Sequence, residues 1–280
     1  MTTIDAHHHF WDYSEEEYGW IPKDVIRKDF GPADLKPLLD EAGVDGVISV
    51  QARTELEEND FLLNYAEEND WIKAVVGYVD LTGEESTVVE TLGQISQHKK
   101  MRAVREVLQG MDDDAYCLRE DFNCGITKLR DFGLVYDILI FHRHLPNSIQ
   151  FVDRHPNQLF VLDHVAKPEI RDAKPDPAWA NNIAELAKRE NVFCKISGMP
   201  TEIFDRENWD VALMQPYVDV VLNAFGPNRL MYGSDWPVCL LETEYVRWNS
   251  AVKQMIAKLS TDEQAAILGG TAIRAYGLDG

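Results

Sequence analysis

"HFWDYSEEEYGWIP", residues 9–22, follows the first strand-like run of the chain and decides between two architectures. The 280 residues alternate short apolar runs with helical-looking segments about eight times. That alternation fits either an open, doubly wound parallel sheet or a closed ring of parallel strands surrounded by helices. An open sheet of this kind normally carries a glycine-rich phosphate turn after its first strand, where the backbone must approach the ligand closely. Residues 9–22 contain only Gly19 and no such pattern. The chain is therefore expected to be an α/β protein, a closed (β/α)8 barrel, whose usual length is about 250 residues. One domain over residues 1–280 is the economical reading.

Strands are expected at Thr3–His8, Gly46–Gln51, Ile72–Asp80, Ala103–Leu108, Leu134–Phe141, Leu159–His164, Val192–Ser197 and Leu230–Ser234. Several, such as "GVISV" and "LVYDILIF", are almost continuously apolar, as a parallel sheet covered on both faces requires. Between them, "ADLKPLLDEAG" puts Leu35, Leu38, Leu39 and Ala42 on one helical face and stops at Gly43. "DPAWANNIAELAKREN" spaces Trp179, Ile183, Leu186 and Ala187 by helical intervals, with Pro177 suited to the first turn. Ser260 precedes Glu263 by three, a capping-box spacing, so "STDEQAAILGGTAIRAYGL" predicts an extra C-terminal helix closing the outside of the barrel. Residues 111–123 read as a loop leading into a helix.

The net charge of −21 argues against nucleic acid and anionic membranes as partners, because both are bound through basic patches that displace counterions. No stretch is long and apolar enough for a membrane span, and no basic-then-apolar leader opens the chain, so a cytoplasmic protein is expected. Cys117, Cys124, Cys194 and Cys239 lack Cys-x-x-Cys spacing and read as reduced thiols. Oligomeric state is not legible.

Three consecutive histidines, His7 to His9, end the first strand. They are no purification tag, since Phe10 and Trp11 follow at once. Alternation on a strand puts His7 and His9 on one face and His8 on the other, with the pair about 6.6 Å apart along the backbone. Such a pair either converges on a metal ion or merely packs and hydrogen-bonds. His164 ends the sixth run and Asp235 follows the eighth, and strands one and eight are neighbours in a closed barrel. Asp235 would then stand beside His7 and His9, unless it only forms a turn before Trp236 and Pro237.

"IDAHHHFWD", "YGWIP", "RAVREVLQ", "LDHVAKP", "CKISGMPTE", "RLMYGSDWPVCLL" and "GGTAIRAYGL" together resemble the amidohydrolase superfamily. The likeness is to its branch of metal-dependent TIM-barrel hydrolases, which includes sugar lactonases such as L-fuconolactonase and L-rhamnonolactonase. The resemblance spans the chain and implies that His7, His9, His164 and Asp235 occupy the active site. Many members bridge two metals with a carboxylated lysine, but "AVREVL" offers no lysine, so a two-metal site is not expected. His142, at the end of the fifth run, matches a position where the superfamily often has a metal-binding histidine, although the lactonase branch does not require one there.

Arg105 and Lys195 lie in apolar strands, where a charge needs a partner or an opening, and read as oxyanion stabilisers or substrate anchors. Gln51 reads as a donor to a sugar hydroxyl or as a cap. Trp11, Trp20 and Trp236 read as a carbohydrate-stacking wall or as core, and Lys167 as a site or a loop residue. The activity expected is hydrolysis of a small-molecule lactone, with Asp235 as base on water and His164 or protonated Asp235 as acid. The oxyanion would be stabilised by one divalent ion, zinc first, on His7, His9 and Asp235, or without metal by His164, Arg105 and Lys195. A metal-dependent decarboxylase and an inactive binding protein on the same scaffold are the alternatives.

Overall fold

Eight short strands, each apolar enough to be buried on both faces, pair in parallel in the order β1 to β8. They are β1 (Ile4–His8), β2 (Gly46–Val50), β3 (Ile72–Gly77), β4 (Met101–Glu106), β5 (Val135–Ile138), β6 (Phe160–Leu162), β7 (Val192–Ile196) and β8 (Leu230–Tyr232). The computed structural model describes residues 2–22, 25–205 and 209–278. Helices α1 (Pro32–Ala42), α2 (Glu57–Glu68), α3 (Glu85–Ile95), α4 (Glu120–Leu129), α5 (Leu145–Arg154), α6 (Pro177–Leu186), α7 (Val211–Phe225) and α8 (Tyr245–Met255) follow the strands in turn. This is the TIM barrel the alternation called for.

The ring closes just beyond β8. Asp235 N–H donates to the His7 carbonyl at 2.7 Å, and His9 N–H donates to the Trp236 carbonyl at 2.6 Å. Asp5 reinforces the seam, accepting from Ser234 N–H at 2.8 Å and from the Tyr245 hydroxyl at 3.1 Å. A register shift between Asp5 and His8 interrupts the alternation of β1. Ala6 and His7 consequently both reach the interior, Ala6 in its apolar layer and His7 among its charges.

Local signals explain most boundaries. Gly43 ends α1 at φ 67°, a conformation that costs glycine nothing. Asp176 caps α6 by accepting from Ala178 and Trp179 N–H, and Pro177 fills its first turn. Strands β5 and β6 are shorter than their apolar runs, because the chain leaves the sheet for turns at His142–His144 and Asp163–Ala166. Residues 111–123 make a short turn, Tyr116–Leu118, before continuing into α4.

The C-terminal segment corrects one expectation. Ser260 and Glu263 do form the reciprocal cap, opening α9 (Thr261–Ala265), and a wider turn then leads to α10 (Thr271–Tyr276). Yet α10 does not lie on the outer wall. Ala272, Ala275, Tyr276 and Leu278 pack against Ile4, Ala74, Val135 and other inward residues of the strands. The helix plugs the barrel at the strands' N-terminal ends, its Thr271 hydroxyl and Arg274 guanidinium donating to the carbonyls of Pro227 and Asn228. Its apolar face finds an uncovered ring interior there, whereas the outer wall is already occupied by α1 to α8.

Candidate active site

Above the apolar layer the interior turns charged, because the residue two further along a strand shares its face. Ala103, Val135 and Val161 are followed in this way by Arg105, Asp137 and Asp163. Lys195 Nζ lies 2.6 Å from Asp137 Oδ2 and 2.9 Å from Asp163 Oδ1, all three groups wholly buried. Arg105 Nη1 donates to Asp163 Oδ2 at 2.9 Å, and Tyr276 O–H reaches Asp137 from below at 2.8 Å. Two acids thus face two bases. Lys195, His7 and Arg105 hold the Asp163 carboxyl well below the ordinary range although burial alone would raise it.

His7 sits on this network, its Nδ1 3.3 Å from Asp163 Oδ1. Its Nε2 faces His9 Nε2 at 3.2 Å and Asp235 Oδ1 at 3.8 Å, while His9 Nε2 lies 3.4 Å from Asp235 Oδ1. His9 Nδ1 is 2.8 Å from the Val50 carbonyl, an acceptor only, so Nδ1 carries the hydrogen. Arg105 Nη1, a donor only, stands 3.4 Å from His7 Nε2, which makes that nitrogen an acceptor too. Two imidazole lone pairs therefore face each other next to a carboxylate. Ligands ~2.0 Å from a tetrahedral ion stand about 3.3 Å apart, so His7, His9 and Asp235 fit a divalent cation of zinc's size. Asp163 and Val50 supply the outer hydrogen bonds that orient metal-binding imidazoles.

His164 completes the group. Its Nδ1 is 2.8 Å from Ser197 Oγ, its Nε2 4.0 Å from Asp235 Oδ1, and its ring centroid 4.4 Å from that of His7. Gly198 makes this possible, since a Cβ there would come within 2.5 Å of His164 Nδ1. Burial lowers the His164 imidazole to about 4, so it is neutral at pH 7. Asp235 is buried, which alone would raise its carboxyl, but His164, His9 and His7 hold it well below the ordinary range. The base is ionised.

A cavity of about 790 Å³ opens on this group, lined by His9, Arg105, His164 and Asp235. Its mouth carries Glu16, Glu17, Glu55 and Glu57, with Trp20 and Gln109 on the walls. The other site expectations separate here. Trp11 and Trp236 are fully buried in an aromatic layer with Phe10 and Phe30, off the cavity, so they cannot stack on a ligand. Trp20, 49% exposed, lines the cavity. Gln51 and Lys195 also lie off the cavity. Gln51 donates to the Arg105 carbonyl and accepts from its guanidinium, and Lys195 is closed within its ion pairs. His142 stands outside the residue groups that could hold a metal ion, its ring 3.1 Å from the Lys167 carbonyl. Lys167 lines the cavity.

Asp163, Asp137, Asp5 and Tyr276 were missed as functional residues. The signal was present: "VYDIL", "FVLDH" and "TIDAH" each set an acid within an apolar run, the same feature that singled out Arg105 and Lys195.

Barrel, buried histidine–aspartate group and cavity at the strands' C-terminal ends together define a hydrolase-type site of the kind TIM barrels carry. The profile of the amidohydrolase family matches residues 4–278, and the chain belongs to that family. It is 36% identical to an L-fucono-1,5-lactonase of Burkholderia ambifaria, covering 99% of this chain and 96% of that one. To an L-fucono-1,5-lactonase of Burkholderia multivorans it is 38% identical, covering 98% and 96%. A crystal structure of an amidohydrolase from Burkholderia multivorans with bound zinc superimposes with a TM-score of 0.92 at 37% identity, over all of both chains.

Proposed function

We propose that this enzyme hydrolyses the ring ester of a sugar lactone, L-fucono-1,5-lactone or a close six-membered relative, with Asp235 as the general base. One observation carries the reading: an ionised carboxylate beside three imidazoles and a guanidinium, on the wall of a cavity large enough for a sugar. The two lactonases aligned over nearly their full length support the substrate class.

Asp235 takes a proton from water as the water oxygen bonds to the lactone carbonyl carbon. Negative charge grows on the carbonyl oxygen, and Arg105, nearly buried but reaching the cavity, donates hydrogen bonds to it. Neutral His164, with Ser197 on Nδ1, presents its Nε2 to the same region. Collapse of the intermediate breaks the ring C–O bond, and Asp235 returns its proton to the departing alkoxide. A carboxyl held so far down releases that proton readily, and His164 at about 4 is not the acid at neutral pH. His7, His9 and Asp235 are the residues that would hold a zinc ion, which when bound polarises a carbonyl or acidifies a water.

Trp20 offers an exposed face to the apolar side of a sugar ring, and Gln109 stands on the same cavity wall. The cavity lining sets Glu16, Glu17, Glu55 and Glu57 beside Arg53, Arg105 and Lys167, and the lactonases aligned over nearly their full length favour lactone opening over the decarboxylase alternative. Among the described residues no helix is long and apolar enough to cross a membrane. The free, mostly buried cysteines fit a reducing cytoplasm.

The test is a panel of neutral and carboxylated lactones read by acid release, and of aromatic acids read by carbon dioxide release, with chelated and zinc-reloaded protein. Turnover should appear on neutral sugar lactones, fall on chelation and return with zinc. Carbon dioxide release without lactone opening would overturn the proposal.

A further inference from the structure

Residues 164–167, one residue beyond β6, pass through four left-handed backbone conformations in succession, with φ of 55° at His164, 48° at Val165, 60° at Ala166 and 48° at Lys167. None is a glycine. An L-residue in this region brings its Cβ against a carbonyl oxygen, so such residues occur singly rather than in runs. A run persists only where its surroundings over-determine it.

The turn has a use. Had β6 continued, alternation would have sent Asp163 into the barrel and His164 to its outer face. The reversal brings both inward, Asp163 Oδ1 to 3.3 Å from His7 Nδ1 and the His164 ring to 4.4 Å from the His7 ring.

What fixes it lies on the neighbouring helix. Trp179 Nε1–H donates to the Val165 carbonyl at 2.9 Å, in the middle of the turn. Trp179 is buried on α6, its ring 5.6 Å from that of Tyr217 and its own backbone N–H held by the Asp176 cap. It is absent from the cavity wall. Within the turn, Lys167 N–H closes back on the His164 carbonyl at 2.7 Å.

We propose that Trp179 is a positioning residue of the hydrolytic site: its indole N–H clamps the left-handed turn that aims His164 into the cavity beside Asp235. The proposal rests on His164 serving lactone hydrolysis.

Trp179→Phe keeps an aromatic ring, though a smaller one, and removes the donor, leaving the Val165 carbonyl without the indole partner. Turnover should fall at least tenfold on the lactone, with KM within twofold of the parent. Lys167 supplies the control, because Lys167→Ala and Lys167→Gly differ only by the Cβ that strains the turn. In the Trp179→Phe chain the glycine variant should turn over at least threefold faster than the alanine variant. In the chain with Trp179 intact the glycine variant should melt at the higher temperature, the reverse of the usual order, and this comparison decides the matter if Trp179→Phe does not fold. Unchanged turnover in Trp179→Phe, or an alanine variant equal to or better than the glycine variant in either comparison, overturns the clamp. A parent protein inactive on every lactone overturns the functional reading instead. The clamp is then read from the imidazole 15N signals of His164, which should move in Trp179→Phe and which overturn the proposal if they stay.

Discussion

Lys195→Met separates two accounts of the charge beneath the site. Lys195 contacts Asp137 at 2.6 Å and Asp163 at 2.9 Å with no exposure on any of the three, so its removal leaves Asp163 to Arg105 and Asp137 to the Tyr276 hydroxyl. Losing one partner of a buried ion pair costs about 3–5 kcal/mol, mostly through the charge left uncompensated. For a chain of this length about 2 °C per kcal/mol applies, giving a melting temperature roughly 6–10 °C lower. Lys195→Met with Asp137→Asn restores the charge match and keeps an acceptor for Tyr276, so it should recover at least half of the loss. Urea unfolding at pH 8 measures both variants. A loss below about 1 kcal/mol in the single variant, or a double variant no more stable than the single, would refute the reasoning. Kinetics divide the accounts again: a substrate anchor would raise KM, whereas a support under His7 lowers kcat with KM within twofold.

His8 faces away from the site and is wholly buried, and burial lowers its imidazole from the ordinary 6.5 to about 3. The unfolded chain therefore takes up this proton first as pH falls, and stability present above pH 6.5 is lost between pH 6.5 and 3. Between pH 7.5 and 5 this amounts to about 2 kcal/mol, seen in urea unfolding and absent in His8→Asn; equal pH dependence in the two proteins would count against it. Trp20→Ala should raise KM for a sugar lactone several-fold and leave kcat within twofold, in steady-state kinetics. An unchanged KM would remove Trp20 from the binding wall.

Much of this was legible because it follows from periodicity. Nearly continuous apolar runs alternating with helical spacing gave the barrel, and closure of a ring brought Asp235 to His7 and His9 across more than two hundred residues. The position of α10 was not legible, since an amphipathic segment looks the same whether it covers an outer wall or plugs an end. The two readings of the tryptophans, stacking wall or core, were inseparable in sequence for a related reason: Trp11 and Trp236 stand next to site residues in the chain but turn into the aromatic layer. The route by which His164 enters the barrel was hidden too. Strand alternation would exclude it, and only four left-handed residues, which no residue type in "HVAK" announces, reverse that outcome.

Single-turnover hydrolysis of L-fucono-1,5-lactone by Asp235→Asn, with lactone binding measured on the same folded protein, tests the role of Asp235 most directly. The site described here requires the rate to fall about 10³-fold while binding changes only a few-fold. A variant that keeps more than a tenth of the parent rate would contradict it.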